Sequence, residues 1–222
     1  MMAGANRANA LRTRFLFWLV LLLSPYSSAS GFDLNDQCPP SFALSSDNQC
    51  QLRNLYQLYD SLQGQGLGGL KTALPHHRDG FSPQQIDLGR LLFFDPVLSG
   101  NKDLSCANCH NPAKGFSDGM ARSVGASGQL HPRSAPTLWN SAFLKSLLWD
   151  ARADSLEQQA LGPLFSELEM ANTPEQLMAN LNQVDAYPEL FTQAFPNSED
   201  AMVIANITTA LTAFQSSLIS LN

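Results

Sequence analysis

Residues 105–119 read SCANCHNPAKGFSDG. Within them Cys106, Cys109 and His110 form a C-x-x-C-H unit, whose two thiols, three residues apart, can bond to the two vinyl groups of one haem. The histidine directly after the second thiol then supplies the proximal ligand of the iron. Ser105 stands at the N-cap of the short helix that this geometry needs. Two other chemistries use a C-x-x-C pair. Zinc requires two further ligands at suitable spacing, and the chain has no second C-x-x-C and no H-x-x-x-H. A thioredoxin-like redox pair requires βαβ surroundings, and no strand pattern of any strength flanks the motif. The expectation is one haem c, held covalently through Cys106 and Cys109, with His110 as the proximal iron ligand.

The spacing does not choose a sixth ligand. His76, His77, His131, Met120 and Met170 are the candidates. His76-His77 reads as a solvated loop before Arg78-Asp79-Gly80, His131 precedes Pro132 in another loop, and methionines more often fill cores. An open sixth position means small-molecule chemistry, and a filled one means electron transfer.

Working outward, Ser99 to Asn140 shows little periodicity and many Gly, Pro, Ser and Asn residues. So long an irregular segment is unusual in a small domain. A large apolar cofactor can serve as the core that such loops wrap. Ser82, with Pro83 and Gln85, starts a helix that Pro96 ends, and Ile86, Leu88, Leu91, Leu92 and Phe93 give it a buried face. Helices start again at Ser155, with Gln158 three residues on, and at Thr173, with Pro174 and Gln176. After Ser198 the stripe Ile204, Ile207, Leu211, Phe214 and Leu218 predicts a last amphipathic helix. It runs almost to Asn222 without an ending signal, which reads as an unfinished chain. The expected class is mostly α: a c-type cytochrome-like domain of helices and long loops around one covalent haem.

Residues 1–30 read as a signal peptide. Arg7, Arg12 and Arg14 precede the apolar run Phe15–Leu23, and small residues follow Pro25. Beyond it, residues 31–81 form an N-terminal extension and linker, and residues 82–222 the haem domain. A helix is expected after Cys50, on Leu52, Leu55, Leu58 and Leu62, before the glycine-rich run Gly64–Gly69. Cys38 and Cys50, left over from the haem motif, should pair in the oxidising compartment to which the chain is exported. All 19 acidic residues lie beyond the signal peptide, against 10 of the 13 Lys and Arg residues, which leaves the remainder near −9. That balance argues against nucleic acid and anionic membranes as partners, and permits docking with a basic redox protein.

From Leu88 to about Leu218 the chain resembles the bacterial di-haem cytochrome c peroxidases and their methylamine-utilisation maturase relatives. The resemblance rests on LGRLLFFDPVLSG (88–100), SCANCHNPAKGFSDG, PRSAPTLWN (132–140), LLWDARADSLEQQALGPL (147–164), ELEM (167–170) and ALTAFQSSL (210–218), in that order. It implies periplasmic reduction of hydrogen peroxide to water, with electrons from a small cytochrome or copper protein, and a homodimer is among the expected assemblies. The matched part resembles the first, peroxide-reacting haem domain of these two-domain enzymes. Position by position, Cys106, Cys109 and His110 match the haem attachment and proximal ligand, Gln159 and Glu169 the distal pair, and Trp149 the tryptophan between the two haems. Chemistry supports Glu169 independently. Splitting the O–O bond of peroxide needs a proton moved from one oxygen to the other, and a carboxylate can shuttle it. An amide beside it can orient the peroxide.

Three departures qualify the resemblance. The family's switchable distal histidine aligns with Ala126, although His131, five residues later, can substitute. The asparagine that helps bind calcium between the domains aligns with Ser134, which weakens the case for calcium. There is a single C-x-x-C-H, so the second haem domain is expected to be absent and the chain to be a truncated form. The leading expectation is a cytochrome c peroxidase-type oxidoreductase. The alternatives are maturase-like oxidation of a partner protein, and a non-enzymatic single-haem electron carrier or sensor.

Overall fold

The computed structural model describes residues 32–53, 76–126, 128–148 and 150–220. Helices and long irregular segments dominate them, as the sequence implies. None of the described helices is long and apolar enough to cross a membrane.

A small hairpin precedes the helices, with β1 (Phe42–Leu44) antiparallel to β2 (Cys50–Leu52), Phe42 facing Leu52 and Leu44 facing Cys50. Three-residue strands are too short for a two-residue period to register in sequence. Leu52, assigned above to a helix, lies in β2, and the rest of that predicted helix falls outside the described residues. Cys38 and Cys50 are joined as a disulfide, and Phe81 bridges to Cys50 on the way into the first helix.

That helix, α1 (Pro83–Phe94), starts where the sequence says. Ser82 Oγ accepts from the Gln85 amide and Gln85 Oε1 accepts from the Ser82 amide, each at 3.1 Å. Asp95 ends it and caps the 3-10 turn Pro96–Leu98, accepting from the Val97 amide at 2.8 Å. The motif helix α2 (Cys106–Cys109) follows, then α3 (Leu156–Phe165) and α4 (Pro174–Asn182), begun by Ser155 and Thr173 as their capping signatures predict. An unpredicted helix, α5 (Ala186–Ala194), buries Tyr187, Leu190, Phe191 and Ala194. Asp185 makes no side-chain cap bond, so this helix carries no start signal and rests on its apolar stripe.

The last helix, α6 (Ile204–Ser216), packs along α1 and buries Ile207, Ala210, Leu211 and Phe214. The two backbones meet at Gly89, where any Cβ would overlap the Ala210 carbonyl. The Phe93 and Phe214 rings lie 5.0 Å apart, and Phe116 joins them from the irregular segment.

His77 corrects a sequence expectation. It is not solvated: it is 8% exposed, its ring lies between those of Phe42 and Phe143, and Nε2 is 3.0 Å from the Ser216 carbonyl. Only its neighbour His76 is exposed. The C-terminal helix, which carries that carbonyl, supplied the burial that a loop composition hid.

Candidate haem pocket

The C-x-x-C-H unit is held by local hydrogen bonds. Asn108 Oδ1 accepts from the Ser105 amide at 2.8 Å, and the His110 amide donates to the Cys106 carbonyl at 2.9 Å. The chain then turns back through Gly115 (φ 68°) and Phe116 (φ 56°), a left-handed pair that suits the glycine and strains the phenylalanine. The turn delivers the Phe116 carbonyl to within 3.1 Å of His110 Nδ1, and the Pro136 carbonyl stands at the same distance. A ring that donates from Nδ1 to a carbonyl leaves Nε2 as the nitrogen able to bind a metal. Burial also lowers the pKa of His110, which favours the neutral imidazole that a metal needs.

Neither motif cysteine is in a disulfide. Burial pushes the Cys106 thiol up to about 12 and raises Cys109 as well. A thiol-based redox centre needs the opposite shift, so this environment does not suit the thioredoxin-like alternative.

Cys106, Cys109 and His110 border a cavity of 590 Å³, within the range of cofactor sites, about 300–1,000 Å³. Phe93 of α1 and Leu211 and Gln215 of α6 line it, as do Ala160 and Pro163 of α3 and the segment Leu144–Leu148. Two neutral thiols, one imidazole with a free Nε2 and an apolar cavity fit a covalent haem.

The distal pair of the resemblance is brought to this same cavity. Gln159 reaches it from the middle of α3, and Glu169 from the loop between α3 and α4. Glu169 is half-buried, whereas Glu167 beside it is exposed. Burial raises the pKa of the Glu169 carboxyl, against the opposing pull of His131 and then Arg152. His131 Nε2 lies 2.8 Å from Glu169 Oε1, and the Ala126 amide donates to the Glu169 backbone carbonyl at 2.8 Å. Gly125, next to Ala126, has no room for a Cβ beside the Leu168 carbonyl.

Of the candidate sixth ligands, His131 and Met170 line the cavity, while Met120 is exposed on the surface. Trp149 lies outside the described residues. Ser134 also borders the cavity, and among the described residues no group of three or more His, Cys, Asp and Glu side chains converges for a metal ion. Sequence reasoning missed Arg133 and Arg152, both on the cavity wall. No periodicity or motif spacing singles them out, because loops bring them there.

Comparison with known proteins agrees with this geometry. The family model of the di-haem cytochrome c peroxidases matches residues 83–222. The methylamine utilization protein MauG of Methylorubrum extorquens is 40% identical over 149 residues, which is 67% of this chain and 42% of that protein. Cytochrome c551 peroxidase of Pseudomonas aeruginosa is 38% identical over 139 residues, 63% of this chain and 40% of its own. A solved MauG-like protein associated with microbial copper homeostasis aligns with a TM-score of 0.64 at 32% identity, covering 69% of this chain and 47% of that one. The diheme peroxidase BthA from Burkholderia thailandensis E264 aligns with a TM-score of 0.55 at 26% identity, covering 61% and 39%. The chain thus spans less than half the length of each of these relatives. With the matched segment running from α1 through the C-x-x-C-H unit and the cavity around it to the end of the chain, this protein belongs to the di-haem cytochrome c peroxidase family.

Proposed function

We propose that this chain binds a haem c through Cys106, Cys109 and His110 and works in the periplasm as the peroxide-reacting part of a cytochrome c peroxidase. The observation that carries the reading is that His110, both thiols, Gln159 and Glu169 border one cavity. A bound haem supplies the redox-active iron. Reducing one hydrogen peroxide to two waters takes two protons and two electrons, the electrons coming from a small cytochrome or copper protein, with Trp149 on their path. The protein's own residues handle the protons and the orientation. The Gln159 amide hydrogen-bonds the peroxide, and Glu169 takes a proton from one peroxide oxygen and returns it to the other. Because burial raises the Glu169 pKa, the group holds and releases a proton more readily near neutral pH than an exposed glutamate does.

Similarity to MauG favours a second reading, oxidation of residues of a partner protein by the same site. The two part on the reductant. Steady peroxide consumption with reduced cytochrome c supports the first, and consumption only with a protein substrate supports the second.

With Ala126 in place of the switchable histidine, the ferric holoprotein is expected to be high-spin or water-bound and to react with peroxide without prior reduction. In stopped-flow mixing, Glu169→Gln should slow that reaction by roughly two to four orders of magnitude. An unchanged rate would remove Glu169 from the role. A low-spin ferric spectrum with no peroxide reaction would instead favour the electron-carrier alternative.

A further inference from the structure

We propose that His131 is a positioning residue for Glu169: it anchors one carboxylate oxygen and shares a proton with it, and it is not an iron ligand. The proposal rests on the peroxide-reducing reading above, whose proton shuttle it completes.

The segment from Ser123 to Arg133 is shaped to deliver this imidazole. Val124 and Leu130 form an antiparallel bridge, the His131 amide donates to the Ser123 carbonyl at 2.7 Å, and the Ser123 amide donates to the Arg133 carbonyl at 3.2 Å. The Arg122 guanidinium clamps the outer strand of this loop, donating to the carbonyls of His131 at 2.8 Å and Leu130 at 3.1 Å. Two separate links then run from the loop to Glu169. The Ala126 amide holds the Glu169 backbone, and His131 Nε2 holds its side chain. Gly125 permits the close approach, since a Cβ there would collide with the Leu168 carbonyl. A loop histidine whose side chain merely faced solvent would need none of this, and the His131 side chain is only 25% exposed.

The contact has chemical consequences. An imidazole nitrogen and a carboxylate oxygen 2.8 Å apart hold one proton between them, on Nε2 or on Oε1. With Oε1 engaged, Oε2 is the oxygen left to exchange a proton with a reactant in the cavity. The anchor fixes the rotation of the carboxylate, and a proton can move along the same bond as Oε2 gains or loses its own. Among the described residues, the other charged or titratable groups around the pair are Arg122, bonded to the His131 carbonyl, and Arg152, Arg133, Cys109 and His110 on the cavity wall. Arg152 is already bonded to both Asp150 oxygens, at 2.7 and 2.8 Å, so its charge acts on Glu169 without anchoring it. Serving as an iron ligand through Nε2 would oblige His131 to leave Glu169.

The test uses the holoprotein with His131→Ala, His131→Gln and Glu169→Gln. His131→Ala should leave the ferric optical spectrum unchanged while slowing the peroxide reaction about 10- to 100-fold. His131→Gln, which keeps a donor but cannot share a proton, should recover part of the rate and flatten its pH profile. In the Glu169→Gln background His131→Ala should have no further effect. In the reduced, carbon monoxide-bound protein labelled with ¹⁵N-histidine, the His131 ring resonances should shift on Glu169→Gln. Conversion from a low-spin to a high-spin ferric spectrum on His131→Ala would overturn the proposal, as would His131 resonances indifferent to Glu169→Gln. If the wild-type holoprotein ignores peroxide, the peroxidase reading fails, while the resonances still decide whether the pair exists.

Discussion

His77 shows how one residue can tie a fold to pH. Its ring centroid lies 5.6 Å from that of Phe42 and 4.8 Å from that of Phe143, and Nε2 donates to the Ser216 carbonyl at 3.0 Å. Nδ1 is buried and has no partner among the described residues, so protonation would create a donor with none of them to accept it. Burial accordingly lowers the pKa below the ordinary 6.5. As pH falls below 6.5 the unfolded chain takes up this proton before the folded one does. The stabilisation from a neutral His77 is therefore complete above pH 6.5 and is lost as pH falls toward the folded-state pKa, by about 1.4 kcal/mol for each unit of depression. Urea midpoints at pH 7.5 and 5.0 should drop less in His77→Leu than in the wild type. Equal drops would show that another group sets the acid sensitivity.

Among the elements, the crossing of α1 and α6 is the tightest constraint. Their apolar faces are plain in sequence, Leu88, Leu92 and Phe93 on one and Ile207, Leu211 and Phe214 on the other. Their separation is set by Gly89, whose missing side chain lets the Ala210 carbonyl touch the α1 backbone. Gly89→Ala gains helix propensity, about 1 kcal/mol, but must push the helices apart, and overpacking of this kind costs roughly 1–3 kcal/mol or more. The displaced α6 also carries Leu211 and Gln215 on the cavity wall. We expect a net loss of stability in denaturant titration, together with a perturbed haem spectrum. A neutral or stabilising substitution would mean that the helices separate without strain.

At the scale of the whole molecule, the cavity proposed to hold the haem and the Cys38–Cys50 disulfide are the two features whose contribution to the fold can be tested directly. Cys106→Ser with Cys109→Ser should abolish haem staining on a denaturing gel and lower the thermal stability, because a non-covalent haem is lost from a cavity that helices and loops alike surround. A stained band in the double variant would disprove covalent attachment there. Cys38→Ser with Cys50→Ser should cost roughly 2–3 kcal/mol without altering the haem spectrum. A changed spectrum would tie the hairpin to the site.

The capped starts of α1, α3 and α4 were readable because Ser82, Ser155 and Thr173 meet their partners within three residues. The C-x-x-C-H unit was readable for the same reason, since five consecutive positions hold both thiols and the imidazole. α5, lacking a cap bond, and the hairpin, with strands of three residues, left no such local mark. Gln159 and Glu169 were named only through resemblance, since a lone amide and one of two nearby carboxylates carry no local signal. Their meeting with His110 and His131 around one cavity depends on α3, the loop after it and the 123–133 loop folding together. Cap bonds and motif spacings act over a single turn and are written in sequence. A hydrogen bond between His131 and Glu169 joins residues 38 positions apart, and only the tertiary structure decides which loop side chains share a wall.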